Sequence, residues 1–143
     1  MKIYIATKLE QADTHNRVRD AFVAAGHQIT YDWTTHGSVK QEGYERISEV
    51  AQAEMQGVKN ADVVVMLLPG GRGTHVELGM AAAWGKPIVL VASPRTGLFH
   101  PDDRTCAFYY VSKALRVYIA GYEDTTEISY IVARATQWFR EAI

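Results

Sequence analysis

The chain has 143 residues, 48% of them hydrophobic, which is enough apolar mass for one buried core and too little length for a second. A formal charge of -1 excludes the electrostatic footprint of a protein that grips a nucleic-acid backbone or an anionic membrane, and leaves a small molecule as the expected partner. The single cysteine, Cys106, excludes an intramolecular disulfide and points to a reducing compartment.

The opening stretch MKIYIATKLE has too short an apolar run for a signal peptide or a membrane span, so a cytoplasmic protein is expected. Within it, Ile3 to Ala6 read as a strand that ends in a polar turn. Val18, Ala21, Phe22 and Ala25 recur at helical spacing, with Gly26 placed to end that helix. Gln28 to Trp33 predict a second strand, and the polar, glycine-containing stretch through Gly43 a loop. A helix is expected from about Tyr44 to Asn60, with an apolar stripe of Ile47, Val50, Ala51 and Val58. Asp62 to Leu68, DVVVMLL, read as a central strand buried on both faces. After Pro69-Gly70-Gly71 a helix runs to about Trp84, and Ile88 to Ala92 form another fully apolar strand. Ser93 to Arg104, with two prolines, is an irregular loop, and Ala107 to Val111 with Arg116 to Ile119 are candidates for a last strand. Ile128, Ile131, Val132, Ala135 and Phe139 mark a carboxyl-terminal helix. The alternation predicts one α/β domain over residues 1–143, a doubly wound parallel sheet of about five strands with helices on both faces.

Ligands of such sheets sit beyond the carboxyl ends of the strands, which directs attention to the loops after the first strand and after DVVVMLL. The second loop, PGGRGTHVELG, has glycines at 70, 71 and 73 that let backbone N–H groups face an anion at the start of a helix; as a tight turn it also needs no ligand at all. Glu77 lies three residues after Thr74, the spacing of a capping box, yet it also stands at the mouth of the crevice, where helix-start donors would lower its pKa. Glu54 falls on the apolar stripe of its helix, a costly position for a carboxylate unless it is paired or opens into a cleft. Tyr4 is either a core residue or one whose hydroxyl reaches a carboxylate. The five histidines show no ligand spacing, so neither a metal nor another cofactor is expected; His75, beside the glycines, is the one to watch.

The segments IYIA, AEMQGVKNADVVVML and GRGTHVELGMAAAWGKPIVLV together resemble the nucleoside 2-deoxyribosyltransferase family and its nucleoside 5′-monophosphate N-glycosidase relatives. The resemblance implies an enzyme whose glutamate, here Glu77, attacks the anomeric carbon, with a strand-one tyrosine, here Tyr4, orienting it. It also implies an acidic residue against the nucleobase, which by spacing is Glu54; the family usually has aspartate there, so this chain reaches one methylene further. The loop PGGRGTHVE is in addition similar to the PGGxGTxxE motif of the cytokinin-activating phosphoribohydrolases, whose other glycine-rich motif is missing here. A bound 5′-phosphate is the implication of that second likeness.

The expected reaction is cleavage of a nucleoside or nucleotide N-glycosidic bond through a covalent glycosyl-Glu77 ester, with transfer to another base or to water. Glu54 is the acid candidate, and Ala6, Thr7, Lys8, Gly70, Gly71, Arg72, Gly73 and Thr74 are the candidates for holding substrate. The family resemblance further implies a homodimer or higher oligomer, with the segment from Ser93 to Arg104 crossing into a neighbour's pocket. Two other functions fit the same residues: an NAD-cleaving glycohydrolase, and a nucleotide sensor in which Glu77 only caps its helix.

Overall fold

The computed structural model describes residues 1–142. Five strands, β1 (Lys2–Ala6), β2 (Gln28–Ile29), β3 (Val63–Leu67), β4 (Ile88–Ala92) and β5 (Ala114–Tyr118), form one sheet in the order β2-β1-β3-β4-β5. All four pairings are parallel, with Tyr4 opposite Val64, Val64 opposite Ile88 and Ile88 opposite Ala114. The crossovers are carried by α1 (Ala12–Ala24), α2 (Tyr44–Asn60) and α3 (Arg72–Ala83), and α4 (Thr125–Ala142) follows the last strand. This is the doubly wound architecture that the alternation of elements predicts.

Every residue of β3 and β4 is buried, which is why these strands read as unbroken apolar runs. The period of two sends alternate side chains to opposite faces. Tyr4, Ala6, Val64, Met66, Ile88 and Leu90 meet Val58 of α2 with Leu78 and Ala81 of α3. Ile3, Ile5, Val63, Val65, Val89 and Val91 meet Val18 and Phe22 of α1 with Ile131 and Ala135 of α4. The chain runs from β1 outward to β2 and then returns across β1 to β3, so the winding reverses between β1 and β3. In sheets of this kind, the carboxyl ends at such a reversal are where ligands bind.

Three local expectations differ from what forms. The second strand is only two residues long, because Asp32 accepts the backbone N–H of Thr34 at 2.9 Å and turns the chain into a 3-10 turn over Trp33–Thr35. Trp33 then donates its indole N–H to the Ile5 carbonyl at 3.0 Å, covering the end of β1. Ala107–Tyr110 is likewise a 3-10 turn, tied down by Arg116 donating to the Tyr109 carbonyl, and the last strand begins only at Ala114. Ala51 is exposed, and the buried face of α2 runs instead through Val50, Gly57 and Val58. Among the described residues, no helix is long and apolar enough to cross a membrane.

Gly57 sets how closely α2 approaches the sheet: a Cβ there would lie 2.8 Å from Tyr31 Cβ and 2.9 Å from Tyr4 Cδ2. In an unobstructed helix, Gly to Ala stabilises by roughly 1 kcal/mol. Here Gly57→Ala is expected to destabilise by about 1–3 kcal/mol through overpacking, read as a lower urea midpoint.

Candidate active site

The turn between β3 and α3 decides where the first acid stands. Gly70 has φ 63°, a left-handed conformation, and a Cβ on it would lie 2.7 Å from Thr74 Cγ2. Thr74 is buried, and its hydroxyl oxygen accepts the Gly71 N–H at 3.1 Å. The partner of Thr74 at the helix start is thus Gly71 and not Glu77, which sits more than a turn inside α3 with its side chain turned to the sheet. The capping-box reading of Thr74 and Glu77 is corrected accordingly.

Glu77 is 6% exposed, and the hydroxyl of Tyr4, itself fully buried on β1, donates a short hydrogen bond to its Oε2. Burial pushes the Glu77 carboxyl up to about 8, with the Tyr4 hydrogen bond acting downward and the charge of Glu54 upward. The sequence-based expectation of a lowered pKa fails for a positional reason. The free N–H groups of the helix start belong to Arg72, Gly73 and Thr74, and loss of solvent dominates at residue 77. Burial, then Glu77, raises the phenol of Tyr4 far above its ordinary range.

Glu54 stands on α2 on the same side of the sheet, half-buried among Val50, Gly57 and Val58. Burial raises its pKa as well, with His36 pulling the other way. No donor bonds to its carboxylate and no cation pairs with it among the described residues. Of the accounts the sequence left open, neither a salt bridge nor an N–H partner is formed among the described residues.

The remaining candidates divide. Lys8 lies beside the glycine turn, with its Cβ 3.5 Å from where a Gly71 Cβ would be. Arg72 and Gly73 are exposed, and nothing stands within 4 Å of a Cβ built on Gly73. Thr7, by contrast, donates its hydroxyl to the Leu67 carbonyl at 2.8 Å, which joins the ends of β1 and β3, and the side chain of Ala6 is packed in the core. The Gly71 N–H is already engaged by Thr74, so the donors left in the turn are Gly70 and the first N–H groups of α3. His75 places Nδ1 2.8 Å from the Gly71 carbonyl and Nε2 2.7 Å from the Tyr109 hydroxyl, fastening the Ala107–Tyr110 turn to the start of α3.

Sequence reasoning passed over Tyr31 and His36, which join at 2.7 Å on the loop after β2, near Glu54. Tyr31 falls in the stretch read as the second strand and His36 in the loop beyond it, so nothing in the sequence pairs them. Two open cavities lie away from Glu77. One of about 310 Å³ is lined by Ser93, Arg95, Tyr118 and Glu127, and one of about 220 Å³ by Lys2, Gln28 and Asn60 at the opposite end of the sheet. Among the described residues, no group of three metal-ligating side chains is assembled.

The burial of Glu77 has a measurable sign. Between an unfolded value near 4.5 and a folded value of about 8, the native state keeps a proton that the unfolded chain has lost, so stability falls as pH rises through this window and is flat above it. Glu77→Gln, which cannot ionise, is expected to gain on the wild type as pH rises from 5 to 9. Urea unfolding at three pH values checks this; parallel curves for the two proteins would contradict it.

The profile of the nucleoside 2-deoxyribosyltransferase family matches residues 3–128. No curated protein sequence matches the chain. Among solved structures, the CMP N-glycosidase BcmB of Clostridium botulinum is similar with a TM-score of 0.62 at 14% identity, over 94% of this chain and 98% of that one. The 2-deoxyribosyltransferase of Bacillus psychrosaccharolyticus is similar with a TM-score of 0.62 at 19% identity, over 88% and 95%. At such identities the structural likeness speaks for the fold, and the profile match for the family. The chain therefore belongs to the nucleoside 2-deoxyribosyltransferase family and is an enzyme of glycosyl transfer or cleavage on nucleosides.

Proposed function

We propose that this enzyme cleaves the N-glycosidic bond of a nucleoside or nucleoside 5′-monophosphate, with Glu77 attacking C1′ to form a covalent glycosyl ester. The observation that carries the reading is the hydrogen bond from Tyr4 to Glu77 Oε2 at the β1/β3 crevice. A buried tyrosine that holds one carboxylate oxygen leaves the other to face the sugar. As the base departs, positive charge develops on the ring, and an ionised Glu77 stabilises it before forming the bond. The ester then passes its glycosyl group to a second base or to water.

Glu54 is the proposed acid, since burial raises its carboxyl and so favours the protonated form that a leaving base needs. Gly70, Arg72, Gly73 and Thr74, with Lys8 beside them, are proposed to hold the 5′-phosphate or 5′-hydroxyl at the positive end of α3. Gly71 contributes shape rather than a donor, and Thr7 and Ala6 hold the strand ends. The enzyme is read as a cytoplasmic homodimer or higher oligomer in which Ser93–Arg104 completes a neighbour's pocket. The same carboxylate could serve an NAD glycohydrolase, and NAD belongs in the substrate panel for that reason.

Chromatography of bases released from ribo- and deoxyribonucleosides, their 5′-monophosphates and NAD tests the reading. Glu77→Ala is expected to lose at least about 1,000-fold in turnover, the order seen when a nucleophile is removed. Ligand binding without base release by the wild type would mark a sensor instead. Because Glu77 must be ionised and Glu54 protonated, kcat/KM is expected to follow a bell in pH, with the Glu77 limb at about 8. Tyr4→Phe removes a bond to the ionised form, so this limb should move to higher pH and not lower.

A further inference from the structure

On the Glu54 side of the crevice stands a pair of side chains that the glycosyl-ester chemistry leaves unused. After β2 the chain carries Tyr31 back over α2, where the missing side chain of Gly57 lets Tyr31 and Tyr4 rest on the same point of the helix, one turn beyond Glu54. Thr30 fastens this crossing by donating its hydroxyl to the Gly57 carbonyl at 2.7 Å. Both Tyr31 and His36 are half-buried, and their rings lie 5.8 Å apart.

The hydrogen bonds assign the protons. His36 Nδ1 is 2.8 Å from the Gly37 carbonyl oxygen, which can only accept, so Nδ1 carries the ring proton. Nε2 of the neutral ring is then an acceptor, and the Tyr31 hydroxyl, 2.7 Å away, donates to it. With its proton committed to His36, the Tyr31 oxygen has only lone pairs to offer. The charged groups around this phenol are Glu54 and Arg46 on α2 and Asp32 on its own loop, and Tyr4 responds to both Glu54 and Tyr31. With Tyr31 resting on α2 at Gly57, one turn from Glu54, the phenol and the carboxyl of the proposed acid share one neighbourhood.

We propose that Tyr31, oriented by His36, is a specificity-determining residue for the leaving base, its oxygen accepting a hydrogen bond from an exocyclic amine while the acid form of Glu54 donates to the adjacent ring nitrogen. Cytosine and adenine present this pair of an amine beside an unprotonated ring nitrogen. Uracil and hypoxanthine present a carbonyl beside a ring N–H, which sets oxygen against oxygen at Tyr31 and donor against donor at Glu54. Leaving such groups unpaired is how a buried polar site discriminates between bases of nearly equal size. His36 acts through Tyr31 as a positioning residue.

This inference rests on the reading of Glu77 and Glu54 given above, and one set of measurements separates the two. Base release from adenine, cytosine, hypoxanthine and uracil nucleosides and 5′-monophosphates is measured for the wild type, Tyr31→Phe and His36→Ala, with thermal midpoints confirming folding. The wild type is expected to favour the amino bases in kcat/KM. Tyr31→Phe should shrink that preference about tenfold, mostly through KM, because the contact is already made in the ground state. His36→Ala should shift it in the same direction by less. Equal losses on amino and keto bases, no loss on either, or a wild-type preference for keto bases would each overturn the assignment while leaving the glycosidic reading in place. Absence of base release by the wild type from every substrate would overturn both.

Discussion

The structure turns on one arrangement: a carboxyl group held out of water against a tyrosine hydroxyl where the sheet reverses its winding. Burying Glu77 opposes folding in its ionised form, and the Tyr4 hydroxyl offsets only part of that cost. The rest of the domain must be rigid enough to keep the group there. Fully buried β3 and β4, with apolar layers on both faces, supply that rigidity.

The surroundings of the acid are built from small residues where backbones must approach and from paired polar groups where loops must hold still. Gly57 admits two tyrosines against α2, and Gly70 admits Thr74 against the turn before α3. His36 with Tyr31, and His75 with Tyr109, repeat one device on opposite sides of the site. In each, one ring nitrogen faces a loop carbonyl and the other a tyrosine hydroxyl. Each pair ties a segment without regular structure to its surroundings, so loops that carry little apolar surface still have defined positions. The two donors that the sequence reading assigned to a ligand and the fold uses itself, Thr7 and the Gly71 N–H, serve the same end.

The second acid illustrates how position changes chemistry. Glu54 shares a helix face with Val50 and Val58, so its carboxyl leaves water for reasons of packing, yet no protein donor or cation meets it among the described residues. Two carboxyls lie on one side of the sheet, each raised by burial, and the charge of Glu54 raises Glu77 further.

What the residues alone determined was the layering. DVVVMLL and PIVLVA read as strands covered on both sides, helical spacing marks three amphipathic segments, and the alternation of strands and helices leaves a doubly wound parallel sheet as the economical packing. The segments IYIA, AEMQGVKNADVVVML and GRGTHVELG, through their resemblance to the family, also single out Tyr4, Glu54 and Glu77. Tertiary structure alone decided the state of those groups. The capping partner of Thr74, the raised value of Glu77, the short second strand and the place of Tyr31 and His36 depend on contacts between residues tens of positions apart, such as Tyr4 with Glu77 and Trp33 with Ile5. Periodicity reports which face of an element loses water. It carries no information on which polar group, brought from another element, waits on that face, and that partner is what sets a pKa or commits a donor.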